Sequence, residues 1–225
     1  MATAVVSGGT GGLGSAVTRV LLESGWHVVV PYVDERELER VERHPELELV
    51  PADLFDEEAA AGVIAKAPDP LGALVNLVGG FAQGGRVHET KVEDFERQFR
   101  LNLRPTYLLC QAALPRLLAA GGGAIVCVST RAAVRPFPGA AGYIASKAAV
   151  LALVDALAAE YTKDGVRVNA ILPSVIDTPA NRAAQPDADH SRWVSPEQIA
   201  RVIRFLCSDD SEPIGGAHIP VYGRA

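Results

Sequence analysis

The chain has 225 residues, 48% hydrophobic and 21% charged, which suits one well-cored α/β domain spanning 1–225. Its net charge of −6 argues against a nucleic acid or an anionic membrane as partner. Three widely spaced cysteines (Cys110, Cys127, Cys207) and five scattered histidines give neither a disulfide framework nor a zinc pattern, so no metal is expected and a reducing cytoplasm fits best.

The chain opens Met1-Ala2-Thr3-Ala4-Val5-Val6, without the basic start and long apolar run of a signal peptide. No stretch approaches the ~18 consecutive apolar residues of a membrane span. Thr3 to Ser7 reads as a buried strand. Ser7-Gly8-Gly9-Thr10-Gly11-Gly12-Leu13-Gly14 follows at once, and then Ala16, Val17, Val20 and Leu21 repeat at helical spacing. Strand, glycine-rich turn and helix together are the context a dinucleotide fingerprint needs. Glycine lets the backbone approach a pyrophosphate, and the helix start supplies free N–H groups. No Gly-Lys-Ser/Thr closes the stretch, which excludes a Walker loop.

His27 to Val33 reads as a second strand, and Asp34 to Arg43 as a charged, solvated helix. Leu47 to Val50 is a third strand, ending at Ala52-Asp53-Leu54. A helix over Asp56 to Ala67 has Asp56 as its cap. Ala73 to Asn76 is a fourth strand, running into Leu77-Val78-Gly79-Gly80, where glycines at a strand end point to a closely approaching ligand. Val92 to Ala120 is a long helical stretch distorted next to Asn102 by Pro105. Ala124 to Ser129 is a fifth strand, followed by a loop over Arg131 to Gly142.

Ala141 to Lys163 is a long helix carrying Tyr143-Ile144-Ala145-Ser146-Lys147. Positions i and i+4 share a helix face, so a phenol and an ammonium can point at one site. A nearby positive charge lowers a phenol's pKa, making Tyr143 a proton donor and acceptor nearer neutral pH. Val166 to Leu172 is a sixth strand ended by Pro173. Thr178 to Val194 is polar and irregular, a mobile-lid candidate. Ser195-Pro196-Glu197 starts a helix to about Cys207, and Ala217 to Val221 is a last short strand.

Strands alternate with helices throughout, which predicts a Rossmann-type doubly wound parallel sheet of about seven strands with helices on both faces. Ligands bind beyond the C-terminal strand edges of such sheets. The glycine loop, Asp53, Asn76 to Gly80, Ser129/Thr130 and Pro173 all fall there.

Together these residues resemble the short-chain dehydrogenase/reductase family, from Ser7 to Gly223. The family's Thr-Gly-x3-Gly-x-Gly loop stands as Ser7-Gly8 through Gly12 and Gly14. Its Asn-x-Ala-Gly strand end stands as Asn76-Leu77-Val78-Gly79, and its Pro-Gly-x3-Thr stretch as Pro173 to Thr178, with Ser174 for glycine. Its Tyr-x-x-x-Lys pair is Tyr143 and Lys147, its helix asparagine Asn102, and its adenine-facing acid Asp53. The resemblance implies an oxidoreductase that moves a hydride between a nicotinamide cofactor and a carbonyl or secondary alcohol.

It implies that Tyr143 handles the proton, that Lys147 lowers the Tyr143 pKa and holds the nicotinamide ribose, and that Asn102 anchors a relay water. A strand-end hydroxyl would orient the substrate: twelve intervening residues before Tyr143 select Thr130, with Ser129 the alternative. Cofactor contacts are expected from Gly8, Thr10, Gly11, Gly12, Leu13, Gly14, Tyr32, Asp53, Leu54, Asn76, Gly79, Tyr143, Lys147, Pro173, Ile176 and Thr178. Tyr32 occupies the position of the family's NAD-favouring acid and Val33 that of its NADP-favouring base. Asp34 would repel a phosphate, Arg36 could reach one, and the glycine loop lacks the base of many NADP users. The balance leans to NAD over NADP. Phe81, Ala132, Val134, Phe137, Asn181 and Trp193 are candidate pocket residues. Alanine-rich helix faces and the family's habit predict a homodimer or homotetramer. A nucleotide-binding regulator, or an isomerase or dehydratase on the same fold, is the alternative function.

Overall fold

The computed structural model describes residues 1–224; Ala225, the last residue of the expected domain, lies outside them. Seven strands form one parallel sheet: β1 (Thr3–Ser7), β2 (His27–Tyr32), β3 (Leu47–Pro51), β4 (Leu71–Asn76), β5 (Gly123–Val128), β6 (Val166–Pro173) and β7 (His218–Val221). Seven α-helices join them: α1 (Gly14–Glu23), α2 (Glu57–Lys66), α3 (Val92–Asn102), α4 (Arg104–Ala119), α5 (Ala141–Tyr161), α6 (Pro179–Ala184) and α7 (Pro196–Cys207).

The strand order is β3-β2-β1-β4-β5-β6-β7. The chain therefore winds outward from β1 to β3, then returns to β4 on the other side of β1. A crevice opens beyond the C-terminal ends of the strands where the winding reverses. Side chains alternate across each strand, so β1 feeds two cores. Val5 packs under α2, α4 and α5, with Ile64, Leu109 and Val154. Ala4 and Val6 pack on the other face under α1 and α7, with Leu21, Ile199 and Ile203. Each such Leu, Ile or Val contributes about 1.5–3 kcal/mol through burial.

The capping expectations hold. Asp56 accepts from Ala59 N at 2.8 Å. Ser195 and Gln198 exchange side-chain to backbone bonds at 3.2 and 3.0 Å, with Pro196 in the first turn of α7. Three expectations need correction. Asp34 to Arg43 does not form an α-helix; a 3₁₀ turn over Glu35–Arg40 replaces it, started by Asp34 accepting from Arg36 N. So polar a segment has no apolar stripe to dock, and isolated short helices are marginal. The stretch from Val92 to Ala120 is two helices that meet at Leu103, which keeps right-handed helical angles, and Pro105 falls in the first turn of α4, where a missing N–H costs nothing. Thr178 to Val194 is partly ordered, with α6 capped by Thr178 and a 3₁₀ turn at His190–Arg192.

The segment Ala141–Asp164 is apolar and long enough to cross a membrane by length and composition. Yet α5 carries Lys147, Asp155 and Glu160, and it lies along the sheet with Val150, Leu151, Val154 and Leu157 buried against it.

Candidate active site

The glycine-rich loop turns at Gly8, whose φ of +68° suits glycine, and Gly11 N donates to Gly8 O at 3.0 Å. A Cβ at Gly14, the first residue of α1, would collide with the Gly8 carbonyl oxygen and stand 2.6 Å from Gly9 Cα. The loop is thus wrapped too tightly on its own helix for any side chain there. In front of it lies a cleft of about 390 Å³. Gly8, Thr10, Gly11, Gly12, Leu13, Gly14, Tyr32, Asp53, Leu54 and Gly79 all line it, as expected from the sequence.

Pro173 ends β6 and Ile176 bridges Val194, and neither lines this cleft. The Thr178 side chain faces the loop: a Cβ on Gly12 would meet its Cγ2 at 3.1 Å. Its hydroxyl caps α6, accepting from Asn181 N at 3.2 Å. Asn76 does not line the cleft either. Alternation along β4 turns its side chain into the layer below the sheet, where Nδ2 faces the Cys110 and Cys127 sulfurs at 3.5 and 3.6 Å. Val78 and Gly79, just past the strand, line the cleft instead.

The cleft ends at Gly79, where a Cβ would sit 2.7 Å from Asn102 Oδ1 and 2.9 Å from Lys147 Nζ. Glycine here lets the backbone lie directly on the ammonium. Lys147 is 6% exposed, and Nζ donates to Val128 O at 3.0 Å. Burial disfavours its charged form and brings its pKa down to about 8. One turn earlier on α5, Tyr143 carries a pKa raised above the ordinary phenol value, chiefly by burial, with a hydrogen bond to the Thr130 hydroxyl working the other way. The expectation that Lys147 lowers the Tyr143 pKa is not met in this arrangement, because the ammonium is turned onto the Val128 carbonyl and burial governs the phenol.

The two strand-end hydroxyls have different neighbours. Thr130 is extended, with φ −159° and ψ 153°, so adjacent side chains point opposite ways. Thr130 Oγ1 accepts from Ala132 N at 3.3 Å and stands near enough to the Tyr143 hydroxyl to favour its ionised form. Ser129 is buried and donates to Lys147 O at 2.8 Å, bracing the backbone of α5.

Asn102 is fully buried, and its side chain is committed to protein partners. Oδ1 accepts from Gly80 N at 2.9 Å and Nδ2 donates to Ser146 Oγ at 3.0 Å. It ties the Gly79-Gly80 strand end to the helix bearing Tyr143. Ser146, not singled out from the sequence, completes this tie by donating to Tyr143 O at 2.8 Å. A small hydroxyl three residues after Tyr143, placed to bond back along its own helix, was the available signal. Of the pocket candidates, Phe81 meets the Tyr143 ring edge-on at 5.0 Å and Phe137 stands 6.4 Å from Phe81. Val134 is exposed, Ala132 is buried, Asn181 bonds Ile176 O, and Trp193 packs on His190.

A family model described as enoyl-(acyl carrier protein) reductase matches residues 8–223. A solved short chain dehydrogenase/reductase family protein superposes with a TM-score of 0.89 at 33% identity, covering 99% of this chain and 96% of that one. The chain belongs to the short-chain dehydrogenase/reductase family. Within the family it is similar to 2-(R)-hydroxypropyl-CoM dehydrogenase of Xanthobacter autotrophicus, 33% identical over 98% of this chain and 96% of that protein. It is also similar to a Beutenbergia cavernae structure described as an NAD(P)-dependent gluconate 5-dehydrogenase and holding NADP at low occupancy, at 28% identity and a TM-score of 0.86, covering 99% of this chain and 95% of that one. As a member of the short-chain dehydrogenase/reductase family, the chain is a hydride-transfer oxidoreductase.

Proposed function

We propose that the chain is a single dinucleotide-binding and catalytic domain that uses NAD or NADP to interconvert a small carbonyl compound and its secondary alcohol. The observation that carries this reading is continuity: one cleft runs from the glycine loop to Gly79, and Gly79 abuts Lys147, one turn from Tyr143. A nicotinamide dinucleotide fits these residues, since the Gly14 backbone tolerates no Cβ and the loop leads into the start of α1. The bound nicotinamide would supply or accept the hydride.

This chain's residues do the rest. The Tyr143 hydroxyl gives its proton to the carbonyl oxygen in reduction and takes it back in oxidation. The Thr130 hydroxyl bonds the same oxygen and holds it to Tyr143. Lys147 binds the nicotinamide ribose, and Asn102 is a positioning residue that fixes the Gly80 backbone against α5. The test is turnover of each cofactor against a panel of ketones, aldehydes and secondary alcohols. Stoichiometric change in cofactor redox state is expected; product formation without it would favour an isomerase or dehydratase.

Threonine in place of the family's serine keeps the donor and acceptor and adds a methyl group. Thr130→Val preserves shape and deletes the hydroxyl, and kcat/KM is expected to fall by about 10²-fold or more, as for loss of one donor at a reacting oxygen. Ser129→Ala is expected to do much less, because Ser129 touches only the helix backbone. Steady-state kinetics of the two variants decide; the reverse ranking would assign the role to Ser129.

The same reading extends to assembly. Phe99, Leu103, Tyr107, Ala149 and Leu153 line an outward groove of about 760 Å³ on α3, α4 and α5, and Tyr107 is half exposed. A second copy is the expected occupant, forming a homodimer or homotetramer. Tyr107→Glu combined with Leu153→Glu is expected to give a monomer by light scattering, and a wild-type monomer would count against the reading. Three free, buried thiols accord with a reducing cytoplasm.

A further inference from the structure

We infer that Glu37 is the residue that selects the cofactor: its carboxylate binds the adenosine ribose hydroxyls and bars a 2′-phosphate, so that NAD(H) is bound and NADP(H) refused. The inference rests on the nicotinamide reading above and goes beyond it. In the 3₁₀ turn after β2, Glu37 reaches back over the glycine loop, and its Oε2 accepts from Thr10 Oγ1 at 2.6 Å. Thr10 is 2% exposed and anchored in the loop, so it holds the carboxylate in place. Glu37, Thr10, Gly11, Tyr32 and Asp53 line the same cleft.

Neighbouring charges leave the role to Glu37. Asp34 stands nearer the end of β2, but Arg36 clamps it with bonds of 2.5 to 3.0 Å. That clamp turns Arg36, the base that could have reached a phosphate, onto an acid. Among the described residues no cation pairs with Glu37, which lines the cleft. A carboxylate accepts hydrogen bonds from vicinal hydroxyls, whereas a 2′-phosphate set beside it meets like charge. Thr10 completes the selection by spending its hydroxyl on the acid.

The test is the equilibrium affinity of the purified full chain for NADH and NADPH, read by fluorescence titration without substrate. Wild type is expected to bind NADH at least about tenfold more tightly, one such step corresponding to about 1.4 kcal/mol. Glu37→Gln keeps the shape and removes the charge, and is expected to tighten NADPH about tenfold or more and weaken NADH. Thr10→Val leaves the acid but frees it from the loop, and is expected to shift the ratio the same way by less. Asp34→Asn is expected to change it least. An unchanged ratio in Glu37→Gln, or a larger shift in Asp34→Asn, overturns the inference while the nicotinamide reading stands. Wild type that binds neither nucleotide overturns both.

Discussion

Tyr143→Phe is expected to lower kcat by about 10³-fold or more, within the range that one positioned acid–base group supplies. The phenyl ring keeps the edge-on contact with Phe81 at 5.0 Å, so the wall of the site survives. Only the hydroxyl and its bond to Thr130 disappear. Burial holds the wild-type phenol protonated through neutral pH, so no buried charge is lost and the melting temperature should barely move. Binding of the reduced cofactor should survive as well. The direction of the pKa shift fixes a further asymmetry. A protonated phenol serves carbonyl reduction across the neutral range, whereas alcohol oxidation needs the phenolate and should accelerate as pH rises towards its pKa. Single-turnover and steady-state rates in both directions check this, and near-normal turnover of the variant would remove Tyr143 from its role.

Lys147→Met is expected to cost about as much activity and to gain stability. The ammonium is buried, and its pKa is brought from 10.5 to about 8. Between those values the unfolded chain binds a proton that the folded chain has released, so stability rises with pH across that window. Below about pH 8 the burial cost is fully present, on the order of 3 kcal/mol at about 1.4 kcal/mol per pH unit. Methionine fills a similar channel without a charge. The variant should therefore melt several degrees higher at pH 7, with the gain shrinking towards pH 10. In the wild type, kcat/KM for carbonyl reduction should fall as pH rises through about 8, where the cation is lost, and the variant should lack that step. A variant less stable than wild type at pH 7 would contradict the burial argument.

Much of this was legible in the sequence because it is written in short-range patterns. The glycine loop, the Tyr143–Lys147 spacing, the caps at Asp56 and Ser195 and the alternation of strand and helix are set by residues within a few positions of one another. Twelve intervening residues before Tyr143 pointed to Thr130, and strand alternation sets its side chain opposite to that of Ser129, which turns to α5. What was not legible depends on contacts far apart in the chain. The partners of the Asn76 side chain were not legible, because motif position does not say which face of β4 it occupies. Glu37 gave no signal, since only tertiary folding brings it onto Thr10, 27 residues earlier. The charged segment after β2 matched a helix in composition, yet composition does not reveal the lack of a surface to pack against.

The ends of the segment between β6 and α7 are clipped together. Ile176 bridges Val194, Asp177 N donates to Val194 O at 2.8 Å, and Val194 N donates to Val175 O at 3.1 Å. Everything between leaves and re-enters the fold at one point. Such a clip makes the insert exchangeable: β6 and α7 are held whatever the intervening residues do, and doubling the insert's length adds only about 0.6 kcal/mol of closure entropy. Grafting the corresponding stretch from a relative with Thr178 retained should therefore alter which carbonyls are accepted while leaving the cofactor cleft and the melting temperature nearly as they were. The clip gives this chain a place where new substrate ranges can arise by recombination without renegotiating the sheet.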